Sequence, residues 1–227
     1  CLVGSEMCIR DRNMVFGMTW GRAMHEFVEQ LAKDERLRSL SFQNVKVVPF
    51  LGTPGAIQSD SWNTTTYSNT LATKVGNLLH CASYNLSAPM YVEGTKEKEL
   101  IESIDEIAKV LHMAETADIA LIGIGSMQDD SSIIKAEIRT REEYKELVRK
   151  GAVGEIVGRI YDKNGQTVDE DLKRKMVGIS LDKIAKIPVR VGMSYGKDKI
   201  EAIKGAIAGG LVNVLVTDVP TAELLLK

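Results

Sequence analysis

Gly196, Lys197 and Lys199 stand together after a short apolar run, at the start of a helical pattern. A glycine there leaves backbone N–H groups free to point at a ligand, and two ammonium groups beside it suit a phosphate or carboxylate. An ordinary solvated helix start, with both lysines facing water, would have the same residues. Thr19, Gly21 and Arg22 make a second such turn, where a hydroxyl and a guanidinium join a flexible backbone. A plain strand-to-helix turn over a packed Trp20 would read the same way. Residues 117–126 end in Gly123, Gly125 and Ser126, so backbone can approach a ligand closely and one hydroxyl can donate to it. The spacing is not the dinucleotide fingerprint, because residue 128 is Gln, and a nicotinamide cofactor is disfavoured. Glu155 lies among Gly151, Gly154 and Gly158 with no opposite charge beside it in sequence. It could accept sugar hydroxyls, act as a general base, or pair with a distant arginine.

These residues are positioned by a repeated order of strand, loop and helix. In residues 187–220 a short apolar run is followed by the Gly196 loop. Ile200, Ile203, Ala206 and Ile207 then recur at helical spacing, Gly209 and Gly210 end the helix, and residues 211–217 form a second apolar run. That is a βαβ unit with parallel strands, whose ligands bind beyond the carboxyl ends of the strands. Residues 14–18 and 45–51 predict further buried parallel strands, with a helix marked by Met24, Phe27, Val28 and Leu31 after the first. A polar loop with Gly52, Pro54 and Gly55 follows the second, and in it Asp60, Asn63 and three threonines offer groups that match hydroxyls.

Residues 96–113 predict one charged helix with Thr95 as its N-cap. Its core stripe would be Leu100, Ile101, Ile104, Ile107, Ala108 and Leu111. Short strands are expected at 90–92 and 177–181, and a helical stretch at 131–148 with Tyr144 and Leu147 inward. Residues 151–168 read as loop, strand, turn at 162–165, and return. The fold class is α/β.

Composition narrows the function. Hydrophobic residues make up 44% of the 227, enough for a sizeable core, and a net charge of −2 argues against a nucleic-acid-binding surface on this chain itself. No apolar run approaches the roughly 18 residues a membrane helix needs. The three cysteines form neither a metal spacing nor a disulfide framework, so no metal is expected and a reducing cytoplasm is the default. His25, His80 and His112 all fall within predicted helices, a poor placement for catalysis. Residues 1–12 lack alternation, a helical face and a signal pattern and are expected to be a non-native leader, leaving 13–227 as one binding domain.

The stretch GAVGEIVGRIYDKNG, together with VGISLDKIAKIPVRVGMSYGKDKIEAIKGAIAGGLVNVLVTDVPTAELLL, resembles the effector-binding domain of the SorC family of bacterial transcriptional regulators. ADIALIGIGS and GMTWGRAM are similar to the same family in the same order, so the resemblance runs from about residue 14 to the end. It implies a Rossmann-like parallel sheet flanked by helices, similar to the sugar-phosphate isomerase and deaminase fold. It also implies a phosphorylated sugar or other small carbohydrate effector, no cofactor and no catalysis, with a sugar-phosphate isomerase or deaminase as the alternative reading. Carried over by position, it puts Gly196, Lys197 and Lys199 in a phosphate-side loop and Glu155 facing the sugar. Gly21 and Arg22 fall in the first βα turn, and Gly52 with Asp60 in the second. Ala23 stands where many relatives have a hydroxyl residue, and Ser194-Tyr195-Gly196 replaces a more glycine-rich pair. Operator DNA would be bound by an N-terminal helix-turn-helix domain outside this chain, in a homodimer or homotetramer whose packing changes with ligand.

Overall fold

The computed structural model describes residues 13–39, 42–54, 64–129 and 131–227. The strands are β1 (Met14–Met18), β2 (Val45–Pro49), β3 (Ala82–Ser83), β4 (Ile119–Gly123), β5 (Gly125–Ser126), β6 (Ala152–Ile156), β7 (Arg159–Asp162), β8 (Val189–Met193) and β9 (Val214–Val216). The α-helices are α1 (Arg22–Lys33), α2 (Ser68–Leu79), α3 (Thr95–Glu102), α4 (Asp105–Glu115) and α5 (Ser132–Lys135) in the first part. They continue with α6 (Arg141–Arg149), α7 (Glu170–Lys175), α8 (Leu181–Ile184), α9 (Ile200–Ala208) and α10 (Val219–Leu225).

Among the described residues, one sheet runs β3-β2-β1-β4-β8-β9 with every pairing parallel. This is the doubly wound order, in which the chain starts centrally, works to one edge, returns, and works to the other. Its direction reverses between β1 and β4, and at such a switch point the loops leaving the two strands part and open a crevice.

Alternation along the strands sorts side chains to two faces. Met18 and Val47 meet Met24 and Val28 of α1 and Leu71 and Val75 of α2 in one buried cluster. Val48, Ala120 and Ile122 point the other way, into a larger cluster with Ala114 of α4, Ile203 of α9 and the hairpin residues Ile156 and Ile160. Burying each such side chain contributes roughly 1.5–3 kcal/mol before chain entropy is counted, so both faces resist displacement of the strand ends that build the crevice.

Several expected elements differ. The single helix over 96–113 is two helices, because Ile104 turns to extended backbone between α3 and α4. Thr95 is the first helical residue rather than the cap, which is Gly94, and the break leaves Leu100 70% and Ile104 51% exposed instead of in the core. The stretch 131–148 is likewise split into α5 and α6, with Tyr144 and Leu147 buried as expected. Residues 90–92 and 177–181 make isolated bridges instead of strands, Tyr91 with Met176 and Leu51 with Gly178.

The second sheet was not anticipated. β5, β6 and β7 form a three-stranded antiparallel sheet. The turn expected at 162–165 is present, with the Gly165 N–H donating to the Asp162 carbonyl at 2.9 Å and Thr167 bridging back to Tyr161. β6 and β7, however, are joined by an earlier, unexpected turn at Val157 and Gly158, with φ of 54° and 66°. A valine in left-handed backbone is strained, which is why no turn signal showed there. The turn is fixed from both sides, since the Glu155 carboxylate accepts the Gly158 N–H at 2.5 Å and Val157 is buried.

Candidate functional site

The carboxyl ends of β1, β4 and β8 converge on a cleft of about 270 Å³, lined by residues of the Trp20–Gly21–Arg22 turn, the Gly123–Ser126 run, Glu155 and the Ser194–Lys199 loop. It lies at the switch point between β1 and β4. The strand ends are tied there by Thr19, whose Oγ1 accepts the Gly123 N–H at 2.8 Å while its own N–H donates to the Leu121 carbonyl at 3.0 Å. Such bonds contribute about 1 kcal/mol each and hold the two turns in register.

Gly21 turns the chain with φ 108° into α1 and, as the N-cap residue, brings no side chain to cap it. The first turn of α1 carries no acidic residue, and its Arg22 and Ala23 line the cleft. Across the cleft, Lys199 Nζ donates to Ser126 Oγ at 2.9 Å, and Ser126 Oγ donates to the Asp198 carboxylate at 3.1 Å. The Lys199 ammonium is 3.7 Å from that carboxylate. The loop bearing these groups turns at Gly196 with φ 107°, and its Gly196 N–H is held by Thr221 Oγ1 at 2.8 Å.

Glu155 forms the floor. It is buried, and it reaches the cleft over Gly125, where an added Cβ would stand 2.7 Å from Oε2. A larger residue at 125 would have to push that carboxylate aside. Burial pushes the Glu155 carboxyl above the usual carboxylate range, against the opposing pull of the Gly158 N–H, a hydrogen bond from Trp20, and the Lys199 and Arg159 cations. Arg159 is itself buried, gives two hydrogen bonds to the Met176 and Gly178 carbonyls, and has its guanidinium drawn down to about 10 by burial. Between them the two walls of the cleft thus offer cations, a hydroxyl and backbone donors for an anion. The floor offers a carboxyl for hydroxyl groups.

A family model described as "Putative sugar-binding domain" matches residues 6–227. The chain belongs to the SorC-type sugar-binding domain family. The "Sorbitol operon regulator" of Klebsiella pneumoniae is 30% identical over 215 residues, covering 94% of this chain and 65% of that protein. "Transcriptional regulator LsrR" of Escherichia coli O9:H4 (strain HS) is 35% identical over 159 residues, 68% of this chain and 50% of that protein. Among solved structures, the full-length sorbitol operon regulator SorC of Klebsiella pneumoniae superposes with a TM-score of 0.84 at 29% identity, covering 100% of this chain and 69% of that one. The probable sor operon regulator of Shigella flexneri gives 0.82 at 27% identity, covering 100% and 86%. The chain spans about half to two-thirds of the length of these two curated relatives.

Of the residues singled out in sequence, the SorC-type fold brings Gly21, Arg22, Gly125, Ser126, Glu155 and Lys199 to one cleft. Thr19 lies beneath it, and Gly196 shapes the loop. Gly52 is elsewhere, packed so that a Cβ would stand 2.5 Å from the Ala88 carbonyl oxygen. Asp60 and Asn63 lie outside the described residues. Lys197 is exposed and does not line the cleft. Lys197→Ala should therefore leave ligand affinity within about twofold by calorimetry, since an exposed charge away from the ligand is screened.

Sequence reasoning did not single out Ser131, Ser132, Ser194, Tyr195 or Asp198, all of which line the cleft. Ser194 and Tyr195 were findable as the residues directly after β8, by the same rule that pointed to Gly196. Ser131 caps α5, where its Oγ accepts the Ile134 N–H, and nothing local in sequence aimed it at the cleft.

Proposed function

We propose that this domain senses a phosphorylated sugar or closely related small carbohydrate and thereby modulates DNA binding by the intact regulator. The observation that carries this is that the α1 start at Gly21, Arg22, Lys199 and Ser126 face one cleft whose floor is the buried Glu155. A phosphate needs the first set, and a polyol's hydroxyls suit the second. The regulator names of the relatives support a sensor over an isomerase or deaminase. So does the cleft lining, in which no histidine stands beside Glu155 to share acid–base work. We place the intact protein in the cytoplasm as a homodimer or homotetramer that binds its operator through a further domain.

The name of the sorbitol operon regulator makes hexitols the first class to try. In a thermal-shift series with sorbitol 6-phosphate and sorbitol, the phosphorylated compound should raise the midpoint. At about 100 times its Kd a ligand adds roughly 2.7 kcal/mol, or about 5–11 °C for a domain of this size. A shift by neutral polyols alone, or turnover of a sugar phosphate by the purified domain, would defeat the reading.

A further inference from the structure

Asp198 has no part in the reading above, yet it sits at its centre. Its Oδ2 accepts the Ser126 hydroxyl at 3.1 Å and lies 3.7 Å from Lys199 Nζ, while Lys199 Nζ donates to the same hydroxyl at 2.9 Å. Carboxylate, hydroxyl and ammonium close a triangle on the cleft wall. The carboxylate therefore takes up the two groups best suited to a ligand's anion.

Its tether permits both capture and release. Asp198 belongs to the 3-10 turn Lys197–Lys199 just after Gly196, and a Cβ at 196 would stand 2.8 Å from Asp198 Oδ1. The missing side chain at 196 lets the carboxylate fold back over its own loop. The Asp198 side chain is also 50% exposed, so it can turn out to water without burying an unpaired charge.

We propose that Asp198 is a tethered counter-anion that holds Lys199 and Ser126 until the anionic group of the ligand takes its place, so that the cleft selects dianionic phosphate esters. A monocarboxylate would only exchange like for like at these groups. A neutral polyol has nothing with which to displace a carboxylate from an ammonium. A phosphate dianion brings more charge and a third oxygen, enough to engage Lys199, Ser126 and the start of α1 together. Once released, Asp198 still repels the bound anion, which keeps affinity moderate and the response reversible.

This rests on the anion-binding reading of the cleft, and the test separates the two. Binding of inorganic phosphate, sorbitol 6-phosphate and sorbitol is measured by calorimetry on the wild-type domain and on Asp198→Asn, with melting curves confirming that both are folded. The variant should bind both phosphates about 3- to 10-fold tighter, from loss of an exposed ion pair and of like-charge repulsion, with sorbitol unchanged. Phosphate binding seen only in the variant would also support the proposal. Unchanged or weaker phosphate affinity in the variant, or an equal gain for sorbitol, would overturn it while leaving wild-type phosphate binding as evidence for the sensor. If neither protein binds a phosphate, both readings fall.

Discussion

Lys199→Ala should cost the domain about 10- to 100-fold in affinity for a phosphorylated sugar and leave its melting temperature nearly unchanged. The Lys199 side chain is only 19% exposed, and its hydrogen bond to Ser126 holds the ammonium at the cleft. Charge-assisted hydrogen bonds of this kind are worth about 1.5–3 kcal/mol, which is the stated range of affinity. A second effect has the same sign. Without Lys199 the Asp198 carboxylate loses its counter-ion and faces the ligand as an uncompensated charge. The fold should hold because Lys199 stands in the 3-10 turn before α9, where alanine is tolerated, and its buried partner Ser126 keeps the bond to Asp198. Calorimetry at about 0.15 M and 0.5 M salt would show the wild-type affinity falling with salt more steeply than that of the variant. A loss under twofold, or an equal loss for sorbitol and its phosphate, would remove Lys199 from the anion site.

How far the site was legible in sequence depends on the range of the forces that build it. The turns after β1, β4 and β8 could be read because each is a local event, an apolar run ending in glycine before a helical pattern. That they meet is a matter of strand order, and the rule that ligands bind beyond the carboxyl ends of parallel strands supplied only half of it. The reversal between β1 and β4 appears in the pairing of Phe16 with Ile119, residues about a hundred positions apart. Gly52 shows the opposite failure. It is a loop glycine after a strand, like Gly21, but the Ala88 and Pro89 carbonyls press against it and leave no space for a ligand. Space of that kind is set by distant backbone, which spacing along the chain does not encode.

The hairpin that delivers Glu155 was the least legible part. Its turn at Val157 and Gly158 carries a β-branched residue at positive φ, against every local preference. Packing overrides that preference, since Ile156, Val157 and Ile160 are buried in the main core and Tyr161 Oη donates to the Ala202 carbonyl at 2.9 Å. The break between α3 and α4 is similar in kind. The stripe from Leu100 to Leu111 is continuous in sequence, but α3 packs against α7, and only the α4 half turns its apolar side to the sheet.

Glu155→Gln should flatten the dependence of stability on pH, and the sign follows from where its proton resides. Burial raises the folded-state pKa above the usual value near 4.5. Between the unfolded and folded values the native protein therefore binds the proton that the unfolded chain has lost. The stability this contributes is complete below the unfolded pKa and is lost as pH rises through the folded one, at up to about 1.4 kcal/mol per pH unit. For a domain of this size that is roughly 3–6 °C per unit at the steepest point. The glutamine carries no proton to lose, and its Oε1 can keep the Gly158 N–H bond. The two melting curves should therefore run together near pH 4 and separate as pH rises, with the variant more stable. Glu102, raised by burial, and Asp34, held at about 2 by Arg36, titrate in both proteins and cancel in the difference. Parallel curves from pH 4 to 8 would mean that Lys199, Arg159 and the two hydrogen-bond donors outweigh burial, and that Glu155 meets a ligand as an ordinary carboxylate.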